Sequence, residues 1–294
     1  MPQHVLVPLD GSDHAFAGLE YSLTAFPDAD ISVLYVVDPA LDHDASAGSG
    51  ESAIDRGEAR GEEILEQAQE HASEHGLSVD TYLRTGRPHN EILAIANTDV
   101  DHVVLGSHGD SPISHPFLGH VSEAVVRRAP VSTTLVPEST AALGERTLPG
   151  EILVPLDGSE QAEAALEFAL DTFSDGAITA FHALSLPFDR PRPEVEGTYL
   201  EDVLDDREAR AETIFESASE IADGYDASLE TETGSDSPAT AILERASADD
   251  VDQIVMGSHG STLSTQLFTG SVAERVARRS PRTVTLVRGA PASE

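Results

Sequence analysis

The chain has 294 residues and a formal net charge of −36, from 53 acidic and 17 basic residues, and every basic residue is an arginine. It has no cysteine, which excludes disulfides and thiolate metal sites. The missing lysines exclude a Walker lysine, a Schiff-base lysine and the strand-borne lysine of a receiver domain. No apolar run approaches the roughly 20 residues a membrane span requires, and no basic patch is present for nucleic acid, so neither partner is expected. This length is natural for two domains.

The first strand reads His4-Val-Leu-Val-Pro8-Leu9-Asp10 and runs into Gly11-Ser12, with no charged-then-apolar leader before it. No secretion signal is therefore expected, and a cytoplasmic protein is. Glu151 to Ser159 repeats this stretch as Ile-Leu-Val-Pro155-Leu156-Asp157-Gly158-Ser159, with Asp10 and Asp157 separated by 147 residues. That identity establishes an internal duplication. Ser12 or Asp13, and Ser159, are candidate N-caps of the first helices, which should bury Phe16, Leu19, Leu23 and Phe26 in one copy and Ala162, Leu166, Ala169 and Phe173 in the other. Strand two is Ile31–Val36 or Ala177–Ala183. A polar loop follows, then a long acidic helix near 54–75 or 200–222 with a narrow apolar stripe: Ile64, Leu65, Ala68 and Ala72, or Ile214, Phe215, Ala218 and Ile221. Strand three lies near 78–84 and 227–233. A proline-started helix follows at Pro88 or Pro238.

Strand four enters a glycine-rich turn. The second copy reads Gln253-Ile-Val-Met256-Gly257-Ser258-His259-Gly260, nine residues, then Gly270-Ser271-Val272. The first reads Leu105-Gly106-Ser107-His108-Gly109, nine residues, then Gly119-His120-Val121. Glycines at these places let backbone N–H groups approach an anion, and a residue opening the following helix sits in its positive first turn. The last helices, near 119–128 and 270–279, end in paired arginines that suit a helix C-terminus. Short strands at 131–136 and 283–287 close the copies.

Five strand–helix alternations per copy predict an α/β fold with a parallel sheet and helices on both faces. The domains are expected at 1–137 and 151–288, joined by a linker at 138–150. The ligand of such a fold sits beyond the strand carboxyl ends where strand order reverses. Strand one and strand four should meet there.

These residues resemble the universal stress protein family as a tandem pair, with the adenine-nucleotide alpha-hydrolase-like (HUP) architecture. The family pattern is glycine, two residues, glycine, nine residues, glycine, then Ser or Thr. Gly257, Gly260, Gly270 and Ser271 match it fully; Gly106, Gly109 and Gly119 match, but His120 replaces the hydroxyl residue. The resemblance implies a five-stranded parallel sheet of order 3-2-1-4-5 in each half. It also implies an adenine nucleotide, ATP or AMP with or without Mg²⁺, in the crevice. By position, Pro155, Leu156, Asp157 and Ala183 would border adenine and ribose. Met256 and Gly257 would line base and sugar; Gly260, Gly270, Ser271 and Val272 would meet phosphates. The first-half equivalents are Pro8, Leu9, Asp10, Val36, Leu105, Gly106, Gly109, Gly119, His120 and Val121, with Ser122 offering a hydroxyl. Family members pair through their fifth strands, implying an intrachain pseudo-dimer and room for a further homodimer.

Several residues carry a second reading. Asp10 and Asp157 contact ligand or cap helix one. His108 and His259 meet phosphate or are exposed turn histidines. His71 and His75 stand four apart on a helix but show no third ligand, and His108, His115 and His120 crowd one loop, so no metal is expected. With one Asp and one His per crevice, and no arginine inside the glycine loop, a non-catalytic nucleotide-binding stress-response module is expected; a slow ATPase, a phosphotransferase or a ligand-free pairing scaffold is the alternative. The acidity is spread evenly, with 24 acidic and 7 basic residues in 1–147 and 29 and 10 in 148–294. Such a surface is screened within ~3 Å at 1 M salt. A halophilic archaeal cytoplasm is the expected setting.

Overall fold

The computed structural model describes residues 1–39, 53–107, 118–144, 148–186, 194, 196–248, 250–259 and 270–289. The chain divides into two compact units, Met1–Thr147 and Leu148–Glu294. In the first, the strands β1 (His4–Leu9), β2 (Asp30–Val37), β3 (Asp80–Thr85), β4 (His102–Gly106) and β5 (Ser132–Val136) alternate with helices α1 (Asp13–Ala25), α2 (Ala53–Glu74), α3 (Pro88–Ala96) and α4 (His120–Arg128). A short α5 (Thr140–Gly144) follows. The second unit repeats the order as β6 (Glu151–Pro155), α6 (Glu160–Thr172), β7 (Ala177–Ala183), α7 (Tyr199–Asp223), β8 (Leu229–Gly234), α8 (Pro238–Ala246), β9 (Gln253–Gly257), α9 (Ser271–Arg279) and β10 (Thr283–Val287).

All strand pairs within a unit are parallel, and the first sheet has the order β3-β2-β1-β4-β5. The second has the matching order β8-β7-β6-β9-β10. The central strands are covered on both faces: Val5, Leu6, Val7, Val103 and Val104 are fully buried, as are Leu153, Val154, Ile254 and Val255. This is why they read as unbroken β-branched and leucine runs rather than as an alternation. β3 instead alternates, with Asp80 and Arg84 turned outward, and β8 exposes Glu230, so charged margins resist adventitious strand addition.

Helix one buries Leu19, Leu23 and Phe26 in the first unit and Ala162, Leu166, Ala169 and Phe173 in the second, whereas Phe16 stays half-buried. The long helices follow the expected stripe in α2, with Ile64, Leu65, Ala68 and Ala72 buried. In α7 the buried set is Leu204, Ala211, Ile214, Ala218 and Ala222, and Phe215 and Ile221 lie at its margin. The stretch expected as a plain linker carries α5, whose Thr140 donates through its hydroxyl to the Asp13 carbonyl at 3.1 Å and buries Leu143 beneath it.

Gly106 and Gly257 close the packing of each central strand against helix one. A Cβ on Gly106 would lie 2.5 Å from the His14 carbonyl oxygen, and one on Gly257 would lie 2.8 Å from that of Gln161. Both obstacles are backbone and cannot swing aside. Gly106→Ala is therefore expected to cost about 1–3 kcal/mol of stability by urea titration.

His102 opens β4 inside the core, its Nε2 2.8 Å from Thr134 Oγ1. Burial, helped by the N-terminal ammonium, lowers its pKa from 6.5 to about 3. The folded ring stays neutral while the unfolded ring takes a proton below 6.5. Its contribution is therefore intact above pH 6.5 and lost as pH falls towards 3, at about 1.4 kcal/mol per pH unit. The equivalent residue in β9 is Gln253, whose side-chain amide donates to the Pro149 carbonyl at 2.8 Å. His102→Gln should flatten this part of the stability–pH curve in melts between pH 6.5 and 4.5.

Candidate nucleotide-binding site

β6 ends at Pro155 and the chain turns through Leu156, Asp157 and Gly158 into α6. Gly158 has φ +78°, a conformation that favours glycine. Asp157 Oδ1 accepts the Ser159 N–H at 3.0 Å, and Ser159 Oγ accepts the Ala162 N–H at 3.2 Å. The first unit repeats the device: Asp10 accepts from Ser12 at 2.9 Å, Ser12 caps Ala15, and Gly11 has φ +88°. The serine is thus the cap in both units. The aspartate braces the turn with one oxygen while its carboxylate remains beside the strand ends.

Next to β6 lies β9, registered Ile152 to Gln253, so the glycine turn emerges beside Asp157. The Ser258 N–H donates to the Val287 carbonyl, and the Gly270 N–H donates to the Ser258 carbonyl at 2.7 Å. The Gly270 amide therefore closes the loop instead of facing a phosphate. The first intrahelical bond of α9 runs from the Glu274 N–H to the Gly270 carbonyl at 2.8 Å. The amides of Ser271, Val272 and Ala273 precede it, where a helix presents its positive end.

These elements enclose a cavity of about 320 Å³. Pro155, Leu156, Asp157, Ala183, Met256, Gly257, Gly270, Ser271 and Val272 all line it, and Gly260 falls outside the described residues. Its lining is apolar at Phe181, Ile242, Ala162 and Met256 and polar at the first turn of α9 and at His259. His182 is buried in the wall and donates through Nδ1 to the Leu156 carbonyl at 2.7 Å, fixing the turn to β7.

His259 Nδ1 lies 2.9 Å from Ser258 Oγ, and its buried Nε2 has no hydrogen-bond partner among the described residues. Burial first, and then the Arg288 charge, hold its pKa below the usual imidazole value. The ring is neutral at pH 7, and His259 is among the residues that line the cavity. Two arginines also line the cavity: Arg207 and Arg210, both from α7. Sequence reasoning placed them on a solvated acidic helix and missed them. A signal existed, because Arg60 and Arg210 occupy matching positions of the two long helices. Arg210 Nη2 lies 3.4 Å from the Asp157 carbonyl, and the Arg60 guanidinium lies against Gly11.

In the first unit, the Gly119 N–H likewise donates to the Ser107 carbonyl at 2.9 Å, and α4 begins its ladder at Glu123. His120 is exposed at the first helical position. The Ser122 hydroxyl, expected as a phosphate contact, donates to the Gly106 carbonyl at 2.8 Å and serves to hold the end of β4. Pro8 and Leu9 stand at the carboxyl end of β1 and Leu105 and Gly106 at that of β4, with Asp10 just beyond β1; Val36 lies on β2 and Val121 on α4. Gly109, His108 and His115 lie outside the described residues.

The second-unit residues suit a nucleotide: an apolar slot for a planar base, three helix-end amides and arginines for phosphate, and one carboxylate, Asp157, that could meet a ribose hydroxyl or Mg²⁺. Among the described residues, no helix is long and apolar enough to cross a membrane. Comparison with known proteins supplies the relationship. A universal stress protein of Mycolicibacterium smegmatis is 25% identical over 292 residues, covering 97% of this chain and 96% of that protein. One from Mycobacterium tuberculosis is 30% identical over 242 residues, or 78% of this chain and 73% of its own. The crystal structure of a universal stress protein from Archaeoglobus fulgidus superimposes with a TM-score of 0.69 at 25% identity, covering 99% and 97% of the two chains. Residues 1–137 and 150–288 each match the universal stress protein family, and the chain belongs to that family as a tandem two-domain member.

Proposed function

We propose that this chain is a non-catalytic adenine-nucleotide-binding module of the stress response, with ATP or AMP held in the second unit. The observation that carries this reading is the N-terminus of α9, whose first-turn residues Ser271, Val272 and Ala273 line a cavity that also has an apolar lining. Arg207 and Arg210 add the positive charge that a lysine-free chain must draw from elsewhere, and His259 adds a neutral polar ring. Asp157 is the one carboxylate among the lining residues, and phosphoryl transfer asks for a positioned base together with metal-holding carboxylates. Binding fits this set better than turnover. The first unit is the weaker site, because His120 stands where the second unit has Ser271.

The same reading places the protein in a salt-rich cytoplasm and pairs its units through the fifth strands, whose Thr-Thr-Leu-Val and Val-Thr-Leu-Val runs are rich in β-branched residues. A homodimer is compatible with it.

Ser271→Glu separates binding from folding. A carboxylate in the first turn of α9 favours the helix while opposing phosphate, so calorimetric affinity for ATP in molar KCl should fall at least tenfold with circular dichroism unchanged. Equal affinity for ATP in this variant removes the second-unit site. The acidity carries its own expectation: the melting temperature should rise steeply between about 0.1 and 2 M KCl, as the screening length drops from about 10 Å to a few ångströms. A flat salt dependence argues against the halophilic setting.

A further inference from the structure

His71 lies in the last turn of α2 and His75 just beyond its end, four residues on, and both are turned to α1. Folding supplies what the sequence leaves out, because Glu20 of α1 projects between them. Glu20 Oε2 lies 2.7 Å from His71 Nε2, and Oε1 lies 3.2 Å from His75 Nε2. The ligand-capable atoms of all three lie within 4.8 Å of one another. The side chains are 17%, 23% and 32% exposed for Glu20, His71 and His75, so the cluster is sheltered yet open on one side. The two imidazoles lie with centroids 5.2 Å apart, and the edge of Phe16 closes on His71 at 6.4 Å.

The backbone also fixes the orientation of the His75 ring. His75 Nδ1 is 3.1 Å from the His71 carbonyl oxygen, which can only accept, so Nδ1 carries the hydrogen. The ring's Nε2 then faces a Glu20 carboxylate oxygen, where a shared cation fits between the two groups. An imidazole whose far nitrogen donates to a backbone carbonyl is oriented as metal-ligating histidines are.

We propose that Glu20, His71 and His75 form a divalent metal site suited to Zn²⁺, with two imidazole Nε2 atoms and one carboxylate as ligands and water completing the shell. Metal–ligand distances near 2.0–2.1 Å require ligand atoms about 3.3 Å apart. The His75 pair already meets this separation, and the His71 pair reaches it by a small side-chain shift. Borderline ions with an affinity for imidazole fit this donor set better than Mg²⁺ or Ca²⁺. The bound ion would clamp α2 to α1.

The second unit shows that the fold does not need the cluster. The last turns of α2 and α7 match at Ala72 and Ala222, both buried, and at Gly76 and Asp226, both with positive φ. His71 and His75 thus correspond to Ile221 and Tyr225, although Glu167 matches Glu20. Two of the three ligands belong to the first unit alone.

The test is a calorimetric titration of the full-length chain with Zn²⁺ alone, in chelator-free molar KCl, paired with thermal melts with and without Zn²⁺. The wild type should bind and gain melting temperature. His71→Gln, His75→Gln and Glu20→Gln should each keep their circular dichroism, weaken Zn²⁺ binding at least tenfold and lose the thermal gain. Absence of Zn²⁺ binding by the wild type overturns the proposal. So does unchanged affinity in His71→Gln or His75→Gln, which would place any bound zinc on other histidines.

Discussion

β6 lies between β7 and β9, so the chain leaves it on one side of the sheet and returns on the other. That reversal opens a crevice at the strand carboxyl ends which neighbouring helices cannot fill. The turn after β6 and the turn after β9 must both empty into it. The close approach of α6 to the end of β9, possible only because Gly257 has no Cβ, sets how near the two turns come. Asp157, the helix-end amides of α9 and the arginines of α7 then converge without any of them having to reach far. The same pairing of β1 with β4, with Gly106 against His14, builds the equivalent corner in the first unit.

Anion recognition in so acidic a chain poses a specific problem. A lysine projecting from this surface would be surrounded by carboxylates and partly neutralised before a ligand arrived. Backbone amides avoid this, since their partial charge is fixed by the helix and cannot be drawn off to a neighbouring side chain. The loop that supports them is closed by its own backbone, through the Gly270 amide and the Ser258 carbonyl. The arginines that do reach the cavity come from a helix whose remaining exposed positions are mostly acidic.

The two units keep one architecture and divide their special residues. The duplicated sites share the aspartate-braced turn, the serine cap, the glycine against helix one and the loop closure. They diverge at single positions with clear physical consequences: exposed His120 against cavity-lining Ser271, buried His102 against Gln253, and the His71–His75 pair against Ile221 and Tyr225. None of these exchanges disturbs the sheet, because each lies at a helix surface, at a helix start or at a strand end. Duplication evidently allowed the two units to specialise without refolding.

The sequence by itself determined the repeat, the order of elements, the central strands and the serine caps, because each is a local pattern: an apolar run, a capping hydroxyl, a glycine at a turn. It also marked the stretches at Asp157 and Gly270 as neighbours, and both line one cavity. Only the tertiary structure decided what each marked group does. The Gly270 amide and the Ser122 hydroxyl looked available and are engaged by carbonyls on other elements. Arg207 and Arg210 sat on a helix read as solvated and line the cavity, and Glu20 meets His71 and His75. Such assignments depend on which helix face meets which neighbour. That choice is made by packing between elements far apart in the chain, and local periodicity carries no record of it.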